Sequence, residues 1–173
     1  YKEALKHAKR LIDQGADIID IGGESSRPGA TPIEPEDEIK KVIPLIKELS
    51  KNNVLISCDT RNAKTMKAAL DAGVSIINDV SGLSYDKNTL DVIKDYNCTY
   101  ILMHSKGTPD NTQNNPFYKN VTCDIYNFFE NKILTLIKKN ISMQNLIIDP
   151  GIGFGKTDNH NFEILENLSI FLD

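Results

Sequence analysis

The chain has 173 residues, 40% of them hydrophobic and 25% charged, with a formal net charge of -4 and an isoelectric point near 5.4. This is enough chain for one domain with a buried core, and the acidic balance excludes a general affinity for nucleic acid or acidic lipid while leaving room for a local anion site. No apolar run approaches the ~18 residues of a membrane span, and the first residues resemble neither a signal nor a transit peptide, so a cytoplasmic protein without a membrane partner is expected. Cys58, Cys98 and Cys123 are odd in number and far apart, which suggests packing residues rather than a disulfide framework or a zinc site.

Taken in order, residues 1–14 carry Leu5, Ala8, Leu11 and Ile12 at helical spacing and stop at Gly15. No strand or cap precedes this pattern, as expected of a fragment. Residues 16–21 read as a short buried strand, and 22–30, Gly-Gly-Glu-Ser-Ser-Arg-Pro-Gly-Ala, as loop. Pro35 opens a helix with Ile39, Val42, Ile43, Ile46 and Leu49 on one face, in which Pro44 predicts a kink. A second strand at 54–58 ends in Asp59-Thr60, a helix spans 63–72, and a third strand at 74–77 ends in Asn78-Asp79. A helix over 88–96 leads to a fourth strand, 99–103, ending in His104. The polar segment 105–120 has the length of a binding loop, and it and the loop 22–32 are predicted to be mobile. A helix over 122–139, a fifth strand over 146–148 and a last helix over 161–172 complete the pattern.

Strands and helices that alternate in this way imply a parallel sheet with helical crossovers. In a doubly wound sheet only the strands at the topological switch meet a ligand. Here every strand ends in a polar group: Asp20, Asp59, Asn78, His104 and Asp149. All five converge only if the sheet curls, which predicts a partial (β/α)8 TIM barrel with about five of eight strands, since a whole one takes about 250 residues. Residues 1–173 are therefore read as one barrel domain, truncated at both ends.

The glycine-rich turn Asp149-Pro150-Gly151-Ile152-Gly153-Phe154-Gly155-Lys156 follows the fifth strand. It is not a P-loop, because the first glycine of that motif would fall on Pro150, and G-x-G-x-G is not the dinucleotide pattern. Asp59, Asn78 and Asp149 combine two acceptor-only carboxylates with an amide that donates and accepts, a set suited to a flat heterocycle with several N–H groups. Either aspartate could instead cap the next helix. No metal-ligand spacing surrounds His104, which favours a supporting role, and Arg27 is a candidate anion contact.

These motifs together resemble dihydropteroate synthase, a barrel family of folate synthesis. The blocks, in order, are Gly22 to Gly29, Ser57-Cys58-Asp59-Thr60, Ile77 to Gly82, Met103-His104 with Gly107-Thr108-Pro109, and Asp149 to Lys156. The resemblance implies a transferase that joins p-aminobenzoate to 6-hydroxymethyl-7,8-dihydropterin pyrophosphate and releases pyrophosphate. It implies that Asp59, Asn78 and Asp149 hold the pterin, with Asp59 and Asp149 catalytic through electrostatic stabilisation. Val80, Met103 and Phe154 would line the pocket, and Ser26, Arg27 and Pro28 would lie over p-aminobenzoate and pyrophosphate. Mg2+ would neutralise the leaving group, with ligands unassigned, and a homodimer is one option for the full-length enzyme. Ser26 stands where the family often has threonine, and Thr112 where it often has methionine. The family's first strand with its Asn-containing loop is expected before Tyr1, and its Ser-Arg-Lys and Arg-x-His segments beyond Asp173. The alternatives are a methyltetrahydrofolate:corrinoid methyltransferase-type barrel, which the Gly-Glu-Ser-Ser-Arg-Pro-Gly loop disfavours, and a non-catalytic pterin-binding relic.

Overall fold

The computed structural model describes residues 1–25, 31–106 and 116–172. Its elements are α1 (Lys2–Asp13), β1 (Ile18–Gly22), α2 (Pro35–Leu49), β2 (Leu55–Asp59), α3 (Ala63–Asp71), β3 (Ile76–Asp79), α4 (Thr89–Tyr96), β4 (Thr99–Met103), α5 (Val121–Lys138), β5 (Leu146–Asp149) and α6 (Asp158–Glu166). Short 3-10 turns at Met143–Asn145 and Leu168–Phe171 complete them. Segments 26–30 and 107–115, on which the expectation of loop mobility and the residues Ser26, Arg27, Pro28 and Thr112 fall, lie outside the described residues.

All strand pairs are parallel, and the order across the sheet is β1-β2-β3-β4-β5. A doubly wound sheet would reverse its strand order at a switch point. Among the described residues there is no reversal, so the sheet is an arc of barrel wall with the helices outside it. Alternation along each strand then sorts residues to two faces. Ile19, Ile21, Ile56, Cys58, Ile77, Tyr100 and Leu102 face the helices and are buried. With Ile46 and Leu49 of α2, Met66 of α3 and Ile125 of α5 they form one core, each large side chain stabilising the fold by about 1.5–3 kcal/mol.

Local chemistry explains the element ends. Pro35 supplies a preset first turn to α2, and Glu36, Asp37 and Glu38 complement its dipole. α2 runs as one helix through Pro44. Asn97 ends α4 in the left-handed region at φ 46°. The last helix differs from the expectation over 161–172. The Thr157 hydroxyl accepts from the His160 N–H and the His160 ring accepts from the Thr157 N–H, so α6 starts at Asp158; it ends at Glu166, and a 3-10 turn follows. β3 begins two residues later than expected, with Val74 buried as a lead-in to it.

Candidate functional site

The register places the polar strand ends. Gly22, Asp59, Asn78 and Ile101 pair in one row across β1 to β4, and Met103 pairs with Asp149 two residues further along β4 and β5. Residues paired across parallel strands share a face, so Asp59, Asn78, Met103 and Asp149 lie on the inner face at the C-terminal end of the sheet. Asp20 lies on the same face, one step below. His104 departs from the expected convergence of five polar groups: it follows Met103 by one residue and turns to the opposite face. There it is 6% exposed, with the Phe128 ring edge-on at 4.9 Å.

Neither aspartate is a helix cap. Asn62 begins α3 and Thr157 begins α6, so Asp59 and Asp149 are left for other work. Asp149 takes one hydrogen bond from its own turn, the Gly151 N–H at 2.7 Å. The Asn78 amide donates to Asp20 at 3.3 Å, while its oxygen is buried and has no hydrogen-bond partner among the described residues, which leaves an acceptor unused. Burial pushes the Asp59 carboxyl up to about 7, reinforced by the negative charges of Asp20, Glu38, Asp79 and Glu24. Among the described residues this face is therefore rich in acceptors. Such a surface receives a neutral or cationic group with several N–H donors.

Val80 sits in a turn fixed by Asp79, whose carboxylate accepts the N–H groups of Ser81 at 2.8 Å and Leu83 at 3.2 Å and the Tyr100 hydroxyl at 2.6 Å. Asp79 itself faces the helices and is fully buried. Phe154 is half-buried in the glycine turn, where its N–H donates to the Gly151 carbonyl at 3.1 Å. The structure thus brings Asp59, Asn78, Met103 and Asp149 to one end of one face, with Val80 and Phe154 on the turns beyond it.

The sequence profile of the pterin binding enzyme family matches residues 1–172. The chain belongs to that family. The dihydropteroate synthase of Clostridium beijerinckii is 43% identical over 166 residues, which is 95% of this chain and 59% of the relative. The structure of Yersinia pestis dihydropteroate synthase in complex with a sulfonamide drug superposes with a TM-score of 0.93 at 36% identity, covering 98% of this chain and 61% of that one. Xanthomonas albilineans dihydropteroate synthase with 4-aminobenzoic acid gives 0.89 at 38% identity, covering 96% and 59%. The chain spans about three fifths of the length of these relatives.

Three charged residues escape a reading of strand ends. Glu38 is fully buried, and one of its oxygens accepts from Thr60 and Asn62 at 2.9 Å and Thr65 at 2.7 Å, which fixes the turn after Asp59. Its spacing with Val42, Leu45 and Leu49 puts it on the buried stripe of α2, a signal present in the sequence. Arg61 grips Glu24 with two hydrogen bonds of 2.8 Å and lies 4.0 Å over the Tyr85 ring. The same glutamate accepts the Ile33 N–H at 3.2 Å, joining the stretch after β1 to the turn after β2. Lys156 is 4% exposed and turned inward onto backbone, unlike a lysine that serves phosphate.

Among the described residues, no three His, Cys, Asp or Glu side chains are placed to hold a metal ion, and no helix is long and apolar enough to cross a membrane.

Proposed function

We propose that the full-length protein is a dihydropteroate synthase, condensing 6-hydroxymethyl-7,8-dihydropterin pyrophosphate with p-aminobenzoate. The observation that carries this reading is the meeting of Asp59, Asn78 and Asp149, from three different strands, on one acceptor-rich face. The two carboxylates and the amide oxygen accept the N–H groups of the pterin. As the bond from the exocyclic carbon to the pyrophosphate oxygen breaks, its electron pair leaves with pyrophosphate and positive charge grows on the pterin. Negative charge at Asp149, and at Asp59 once it is ionised, stabilises that charge more than it stabilises the ground state, which is electrostatic catalysis. The p-aminobenzoate nitrogen then attacks the carbon and releases a proton. Ser26, Arg27 and Pro28 are assigned to the amine and pyrophosphate side.

Magnesium enters this reading as a companion of the pyrophosphate. Such an ion keeps several of its waters and takes most of its remaining ligands from phosphate oxygens. The cytoplasm and a homodimeric full-length enzyme complete the reading. The test is pyrophosphate release by the full-length protein given both substrates. Release that requires p-aminobenzoate and is abolished by Asp149→Ala supports the assignment. Tight pterin binding without release would mark a non-catalytic relic instead.

A further inference from the structure

Lys156 carries a charge into the interior, which is costly unless every donor finds a partner. Its ammonium nitrogen lies 2.8 Å from the Gly151 carbonyl, 2.9 Å from that of Phe154, 3.2 Å from that of His104 and 3.0 Å from His104 Nδ1. Four acceptors thus converge on three N–H groups. Among the described residues no carboxylate lies in ion-pair contact with it, although the Asp149 charge favours it, so the cation is held by oriented carbonyls and the His104 ring. Those carbonyls belong to the residues that matter. Gly151 donates its N–H to Asp149, Phe154 stands on the same turn, and His104 is bonded through its own N–H to the Asp149 carbonyl at 2.9 Å. The contact is close: a Cβ on Gly151 would lie 2.0 Å from the His104 carbonyl oxygen.

We propose that Lys156 is a positioning residue of the pterin site, whose buried ammonium pins the end of β4 to the turn after β5 and so sets where Asp149 and Phe154 stand. Neutral His104 offers Nδ1 as the acceptor and keeps its proton on Nε2. The assignment rests on the pterin site described above, and its test uses binding of bare pterin, which needs neither pyrophosphate release nor the amine. Failure of the condensation reading alone would leave that binding intact.

In the full-length protein, Lys156→Met keeps the aliphatic stem and removes the charge. It is expected to weaken bare pterin about tenfold at a temperature where the variant is folded. Combined with Asp149→Ala, it should lose less than the product of the two single losses, because both act through one turn. Affinity within twofold of wild type, or losses that multiply, would overturn the assignment. Should Lys156→Met not fold, Lys156→Arg decides, because a guanidinium cannot put one nitrogen at the point shared by four acceptors. A folded Lys156→Arg is expected to lose at least threefold, and wild-type affinity in it would overturn the proposal. In wild type itself, pterin should shift the His104 Nδ1 resonance in 15N spectra, and a resonance that stays still at saturation counts against it.

Discussion

At the scale of single residues, burial displaces Asp59 and His104 from their ordinary titration in opposite directions. Burial and neighbouring carboxylates raise Asp59 to about 7, and burial followed by the Lys156 charge lowers His104 to about 3. A carboxyl raised on folding contributes stability that is present at low pH and lost as pH climbs from the usual carboxylate range through 7. A histidine lowered on folding does the reverse: the unfolded chain takes up a proton below about 6.5 that the fold refuses, so stability is lost as pH falls from there toward 3. The two slopes oppose each other between roughly pH 4 and 6.5. Urea denaturation of the full-length protein across that window should therefore show stability rising more steeply with pH in Asp59→Asn than in wild type, and less steeply in His104→Gln. Pterin affinity should increase as pH rises through 7 while Asp59 ionises, and Asp59→Asn should remove that increase. Binding and turnover also separate by residue. Asp149→Ala is expected to weaken bare pterin about tenfold or more, since ligand donors are left unpaired, whereas Arg27→Ala should stay within about threefold and slow turnover. Equal losses in titration calorimetry would contradict that division.

At the scale of elements, the turn after β5 allows an internal comparison. Gly151 and Gly153 both sit at positive φ, 68° and 83°, yet a Cβ on Gly151 would collide with the His104 carbonyl while one on Gly153 would meet nothing within 4 Å. Gly153→Ala should cost about 1–2 kcal/mol from backbone strain alone, and Gly151→Ala about 3 kcal/mol or more, read from denaturant midpoints. The turn after β2 depends instead on Glu38. Removing it strands the donors of Thr60, Asn62 and Thr65, so Glu38→Ala should cost about 3 kcal/mol, and Glu38→Gln, which keeps one acceptor, less than half of that. These elements also show what the sequence discloses. β4 was legible residue for residue as 99–103, because an apolar run bounded by Asn97 and the polar stretch after His104 admits one reading. Asp59, Asn78 and Asp149 were legible as polar residues closing apolar runs. His104 was misdirected because a period of two sends the next residue to the other face, so its side depends on where the ladder ends rather than on composition. Glu38 and Lys156 stayed hidden because partners distant in sequence decide whether a charge can be buried.

At the scale of the whole molecule, the family and the barrel arc were legible from five ordered motifs and from polar residues that close the strands. The early start of the last helix was not, since the bond that the His160 ring accepts from the Thr157 N–H uses a residue outside the usual capping pairs. The strand order has a further consequence. Because spatial order equals chain order, each strand pairs with the one made just before it, and no pairing waits for a strand made much later. On a ribosome adding about 5–20 residues per second, β1, β2 and β3 can dock while β5 is still unmade. Asp59 and Asn78 would thus meet on the nascent chain seconds before Asp149 emerges. Synthesis itself would bring the negative charges of the pocket together one at a time.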